Sequence, residues 1–356
     1  MTSRSSRTSS GVLAALVLLA VVAAAAAALA PAAAAAAPKP FAICIDVGGQ
    51  AGPDIAGNMV VWTDNRNGNL DIYGRDLGRH RNVAVCTNKT QQDNPSVASV
   101  VTPSGKVQYV AVWVDKRNHP SSDASDIYGR NITTRTNFLV SRNATIKWYP
   151  QIVDHWVTWI EADDSAGPYR VKARDLDTAT TYLVATTKVL SPPDVDWRQI
   201  GAKIVFTSVY TSGNGNISGR NLPDGAPFNV SQRSTFEWLP DISHNRVVWW
   251  ESGGRIMMKD LKTGAKKFVA SGSRPRIDGE LVTWDGGGHG GTFVTTYVKG
   301  AEIYVRNAVR GAGVVAIAQQ HLTCIFPAIS GHTVVWESGP ARRVLSHIHI
   351  YGARVR

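Results

Sequence analysis

The chain has 356 residues, 44% hydrophobic and 18% charged, with 11 Trp and a formal charge of +11. That apolar content excludes a disordered chain. The positive charge is dispersed, with no basic stripe, so nucleic acid is not an expected partner.

Taken in order, the chain opens with Arg4 and Arg7, an apolar run from Val12 to Ala30, and small-residue cleavage options from Ala32 to Ala37. Residues 1–37 therefore read as a signal peptide; a retained anchor is the other reading, since the run spans about 19 residues. Cleavage would remove Arg4 and Arg7 and lower the charge from +11 to +9. The expected location is secreted or cell envelope, with no membrane span once the leader is gone.

Residues 38–356 carry one module repeated. Its first copy, Pro53 to Leu77, has an apolar step after a Pro, a Gly-Asn turn, an apolar run ending in Trp62, a second polar turn and the run DIYGRDL. Further copies begin near Pro95, Pro150, Pro193, Pro240, Pro275 and Pro327, and their aromatic anchors are Trp113, Trp159, Phe206, Trp249, Trp284 and Trp336. The mean spacing, (327 − 53)/6 or about 46 residues, with roughly four short strands per copy, predicts β-propeller blades. Strand A follows the Pro, B ends in the aromatic, C is the DIYGR run and D is a short outer run such as Asn82 to Cys86.

The seventh copy stops after its C strand, and a spare strand, Phe41 to Ile45, precedes the first copy. The expected fold is thus all-β, a seven-bladed propeller of four-stranded blades, closed when residues 41–45 complete the last blade. An open ring would leave sheet edges exposed. Both faces of a blade pack on neighbours, so the Trp anchors read as inter-blade packing. The Asp64/Arg66 and Asp115/Arg117 pairs read as turn caps or surface ion pairs.

In Pro53, Ile55, Gly57, Val60, Val61, Trp62, Asp64, Arg66, Gly68, Asn69, Asp71, Ile72 and Tyr73, the chain resembles the TolB-like β-propeller repeat proteins of bacterial and archaeal envelopes. The resemblance covers residues 41–356. It departs at Ser208, Gly286 and Ser338, where the Asp after the aromatic is missing, and repeats begin too early to leave room for the N-terminal domain of TolB itself. It implies a fold and a location, not a role in the Tol–Pal system.

Chemistry is harder to find. There is no nucleophile elbow, no H-E-x-x-H, no C-x-x-C and no Gly-rich phosphate loop, so no catalytic residue is assigned. The turn from Asp64 to Asp71 has oxygen ligands, but Arg66 stands where a third acid would be wanted for calcium. His347 and His349 share a strand face without a third ligand. No metal and no cofactor are expected. Cys44 and Cys324 flank the ring closure and are the candidate disulfide. Aromatics near the D–A connections, Trp148, Tyr149, Trp197 and Trp238, are candidates for a ligand platform at the channel mouth; packing between blades is the alternative. The expected function is a monomeric, non-catalytic binding or scaffold module engaging an envelope or extracellular protein or glycan on its rim. The alternative is a polysaccharide-active hydrolase or lyase, because fold alone does not choose.

Overall fold

The computed structural model describes residues 38–198, 201–209, 214–232, 234–286, 302–311, 313–318, 323–340 and 347–355. The leader reading of residues 1–37 lies outside them. The described residues form seven four-stranded antiparallel sheets. The innermost strands A are Gln50–Ala56, Gln92–Val101, Ile146–Val153, Asp194–Arg198, Glu237–Ser243, Ser273–Asp278 and Thr323–Ser330. Each touches the next and the last touches the first, so they surround an axial channel. This is a seven-bladed β-propeller.

The ring closes as expected. Strand Phe41–Cys44 pairs antiparallel with the C strand of blade seven, His349–Arg354, with Phe41 opposite Gly352 and Ala42 opposite Tyr351. Ile43 is 2% exposed and packs with Ile55, Val60 and Trp62 of blade one and Val335 and Ile350 of blade seven. One short strand therefore seals a joint between the two ends of the chain.

Strand A differs from the sequence reading in one respect. In six blades it starts before the Pro rather than after it. The register slips at that point, for example between Ala51 and Asp54, where Gly52 and Pro53 together face Trp62. A Pro cannot donate to the ladder, and a bulge places it where no donor is needed. The residue before the Pro turns left-handed in each case: Gly52 at φ 58°, Asn94 at 53°, Tyr149 at 51°, Leu239 at 53°, Arg274 at 48° and Phe326 at 52°.

Strand B is buried on both faces. All six residues of Met59–Asp64 are buried, and Trp62, Trp113, Trp159, Trp249, Trp284 and Trp336 are at most 2% exposed. The indoles are also polar anchors. Trp62 Nε1 donates to Asp64 Oδ2 at 2.9 Å, Trp113 to Asp115 at 2.9 Å and Trp159 to Glu161 at 3.0 Å. Arg66 and Arg117 bind the same carboxylates through Nε at 2.9 Å and lie over the rings of Tyr73 and Tyr128, 4.2 and 4.0 Å from the centroids. Asp64 and Asp115 are fully buried, so of the two sequence readings the surface ion pair fails and the turn cap holds: Arg66 N–H and Arg117 N–H donate to the same carboxylates at 3.0 and 2.8 Å. Removing one member of such a buried pair costs roughly 3–5 kcal/mol, against about 1 for a surface pair.

The Arg of the DIYGRDL run acts between blades. Five D strands, those of blades one to five, carry a one-residue bulge at a buried aliphatic residue, for instance Val85, skipped between Ala84 and Cys86. The bulge leaves a carbonyl outside the ladder, and the next blade supplies a cation. Arg75 donates to Ile43 O at 3.2 Å, Arg130 to Val85 O at 3.0 Å, Arg220 to Val184 O at 3.3 Å, Lys259 to Val230 O at 2.9 Å and Arg306 to Val269 O at 2.7 Å. The closing strand obeys the same rule, with Ile43 as its bulged residue. The Gly beside this Arg makes room for a ring: a Cβ on Gly129 would sit 2.3 Å from Phe138.

Candidate functional site: the channel ring and its two rims

The residue after each anchoring Pro is Asp54, Ser96, Gln151, Asp194, Asp241, Arg276 or Ala328. Six of the seven are polar, and most reach the strand A of the next blade. Val97 N–H donates to Asp54 Oδ2 at 2.9 Å, Ile152 N–H to Ser96 Oγ at 3.2 Å, Ile242 N–H to Asp194 Oδ2 at 2.7 Å and Ile277 N–H to Asp241 Oδ2 at 2.6 Å. Arg276 turns back to donate to Asp241 Oδ1 at 2.9 Å.

A second circuit lies at the turns between strands A and B, the lower rim. Gly279 N–H donates to Ser243 Oγ at 3.1 Å, Gly331 N–H to Asp278 Oδ2 at 2.6 Å and Gly57 N–H to Ser330 Oγ at 2.9 Å. From the upper rim to the lower, the joint between blades three and four is aromatic: Trp148, Tyr149, Trp156, Tyr169, Tyr182 and Trp197 belong to one cluster.

Three carboxylates thus share one guanidinium in the channel. Burial pushes the carboxyls of Asp54 and Asp194 above the ordinary range; the neighbouring Asp241 adds to the shift at Asp194, and Arg276 opposes both. The Arg276 side chain keeps 32% of its surface exposed, so the channel is open around it. The sign of the pH effect follows. A group whose folded pKa is raised binds more protons folded than unfolded, so its cost is complete above the folded pKa and gone below the unfolded value of 3.8. Asp194→Asn keeps an oxygen for Ile242 N–H and removes a charge. It is expected to raise the melting temperature by a few degrees near pH 8 and to lose that advantage near pH 4, checked by calorimetry across the interval.

The aromatic candidates do not converge. Trp148, Tyr149 and Trp238 precede their Pro and sit at the start of strand A, on the upper rim; they lie inside the strand rather than in a D–A connection. Trp197 follows its Pro and pairs with Ala202 beside the A–B turn, on the lower rim. Its ring meets His155 edge-on at 5.0 Å, while Trp148 meets Tyr169 edge-on at 5.9 Å. Trp148, Tyr149 and Trp197 pack against one core cluster from opposite ends of strand A, and Trp238 stands in blade five. Among the bulge residues, Phe326 is 41% exposed and has Arg274 over its ring at 4.6 Å.

The candidate disulfide is not formed; none of the three Cys is disulfide-bonded. Cys44 and Cys324 lie on the outermost and innermost strands of one sheet, with two strands between. That is about 14 Å at ordinary strand spacing, beyond the roughly 7 Å that a disulfide spans. Cys44 Sγ instead accepts from Arg66 at 3.2 Å, and burial raises the thiol to about 11. In the turn weighed for calcium, Asn67 and Asn69 donate to Asp71 at 2.7 and 3.0 Å, and Arg66 holds Asp64. His349 Nδ1 lies 3.0 Å from Gln50 Oε1.

Sequence reasoning missed a buried lysine. Lys147 is 1% exposed, three residues before its Pro, where blades one and two have Gln50 and Gln92. Its Nζ donates to Ser125 O at 2.5 Å, Asn143 Oδ1 at 2.6 Å, Thr145 Oγ1 at 3.1 Å and Thr145 O at 3.2 Å, and burial lowers its pKa to about 8. The Gln amides do the same with Gly48 O and Thr90 O at 3.2 and 2.6 Å. The position ties down the D–A connection in each case.

No family model and no curated protein sequence matches the chain. Solved structures do. The β-propeller domain of the Trilobed protease from Pyrococcus furiosus is similar at 11% identity, TM-score 0.58, covering 87% of this chain and 94% of that one. That domain has an open velcro topology, whereas here Phe41–Cys44 closes the ring. An oligogalacturonate lyase from Vibrio parahaemolyticus is similar at 10% identity, TM-score 0.59, covering 88% and 92%. TolB from Acinetobacter baumannii also matches, at 13% identity, TM-score 0.48, covering 73% and 62%. At these identities the likeness shows the fold alone: the chain is a seven-bladed β-propeller.

Proposed function

We propose that the chain is an exported, non-catalytic binding or scaffold propeller of the TolB-like repeat type, engaging an anionic glycan or a protein at its upper rim. One observation supports the reading most. The buried carboxylates of channel and blades, Asp54, Asp64, Asp115, Asp194 and Asp241, are held by backbone N–H groups, indoles and guanidinium groups. The polarity of Asp54, Asp194 and Asp241 is spent on joining blades, and that of Asp64 and Asp115 on anchoring an indole and a guanidinium within one blade. Asn94, Tyr149, Leu239 and Phe326 stand in left-handed bulges at the starts of strands A, and the net charge, +11 or +9 without Arg4 and Arg7, favours anionic polymers. Titrating acidic polysaccharides against intrinsic Trp fluorescence is expected to give saturable binding that weakens with salt and is lost in Phe326→Ala with Tyr149→Ala. Release of shortened or unsaturated sugars would reverse the reading in favour of a hydrolase or lyase.

A further inference from the structure

The lower rim of blade three holds a cluster that the channel does not use. His155 lies in the A–B turn, Asp175 ends strand C opposite Trp156 and Asp177 lies in the C–D turn, and the antiparallel sheet brings them side by side. One imidazole nitrogen, one Asp175 oxygen and one Asp177 oxygen all lie within 4.8 Å of one another. His155 Nε2 is 3.9 Å from Asp175 Oδ1, and Nδ1 is 3.7 Å from Asp177 Oδ2 and 2.5 Å from Asp154 Oδ2. Trp197 of blade four meets the imidazole edge-on at 5.0 Å, and Trp156 lies 5.9 Å away on its other neighbour.

The other blades show what is different here. The same turns in blades one, five and six set an arginine beside the carboxylate: Arg79 to Asp76 at 3.4 Å, Arg246 to Asp260 at 3.6 Å and Arg310 to Glu280 at 3.0 Å. In blade three the group at the centre is an imidazole, and three carboxylates surround it. A neutral imidazole offers one N–H, which Asp154 takes. That leaves Nε2, 3.9 Å from Asp175 Oδ1, as the nitrogen that can ligate a cation, with Asp177 Oδ2 on the Nδ1 side of the ring at 3.7 Å.

We propose that His155, Asp175 and Asp177 bind a first-row divalent cation such as Zn²⁺, at the joint between blades three and four. One imidazole and two carboxylates suit Zn²⁺, with metal–ligand bonds of about 2.0–2.2 Å, so the ligand atoms need draw in by less than about 1 Å. Asp154 serves as the carboxylate that fixes the tautomer and orients the ring, as outer carboxylates do for metal-bound imidazoles. Asp177, 75% exposed, can swing inward without disturbing the blade. Three protein ligands on one side leave a position open to solvent.

Equilibrium dialysis of the full chain, untagged, against sub-millimolar Zn²⁺ tests this, with Co²⁺ absorption as the reporter of coordination. The wild type is expected to bind one equivalent. His155→Gln and Asp177→Asn are each expected to abolish it, Asp154→Asn to weaken it about 10–100-fold, and His244→Gln, in the same turn of blade five, to leave it unchanged. Because Asp177 is exposed, its variant tests the site even where His155→Gln fails to fold. Less than one equivalent on the wild type, or unaltered binding by Asp177→Asn, would overturn the assignment.

Discussion

A chain lacking Phe41–Cys44 is expected to lose its cooperative fold, or to survive only as a swapped or aggregated species. The strand contributes the burial of Ile43, worth about 2–3 kcal/mol, and ladder bonds worth about 1 kcal/mol each. Its loss also strands Arg75, whose partner is Ile43 O, and bares the edge of blade seven. The sum, roughly 5 kcal/mol or more, approaches the whole stability of an ordinary domain. Circular dichroism and size-exclusion chromatography of the truncated chain read the outcome. A monomer melting within a few degrees of the full chain would contradict it.

The second large effect is expected at Trp159. Truncation to Ala empties a position 1% exposed and removes the indole N–H from Glu161, itself 4% exposed. The cavity costs roughly 3–5 kcal/mol, and the carboxylate left without that donor adds about 1–3. Trp159→Phe fills most of the volume and loses chiefly the hydrogen bond, so it should cost about 1–3 kcal/mol. Thermal unfolding of both variants separates packing from polarity. A Trp159→Phe chain as stable as the wild type would mean that the indole N–H contributes nothing, and equal losses in the two variants would mean that the packing contributes nothing.

These expectations rest on features of different legibility. The blade count was readable because Pro and Trp recur at fixed separation, and closure was readable because Phe41–Ile45 had no partner of its own. The channel ring was present in the sequence too, as the residue after each Pro: Asp54, Ser96, Gln151, Asp194, Asp241 and Arg276 are polar where Ile55 and Val97 beside them are not. Its meaning was hidden, because the acceptors' partners are backbone groups of another blade. The role of Arg75 and Arg130 was invisible for a similar reason; a bulge that frees a carbonyl leaves no mark on composition. Trp197 was grouped with Trp148 through proximity to a Pro, although one follows its Pro and the other precedes it, which puts a strand's length between them. Asp64 and Asp115 passed for surface charges because a turn between strands suggests water, and the indole that draws each carboxylate inward belongs to the same strand. His155 and Asp175 lie 20 positions apart, and only the strand pairing makes them neighbours.

Closure by the first strand is the claim on which the others depend, and a pair of cysteines tests it. Ala42→Cys and Tyr351→Cys, opposite each other in the register, are placed in a chain whose Cys44, Cys86 and Cys324 are replaced by Ser or Ala. Mild oxidation followed by peptide mass spectrometry is predicted to find one disulfide joining positions 42 and 351 within a monomer. A monomer in which both thiols stay free, or link elsewhere, would contradict the closed ring.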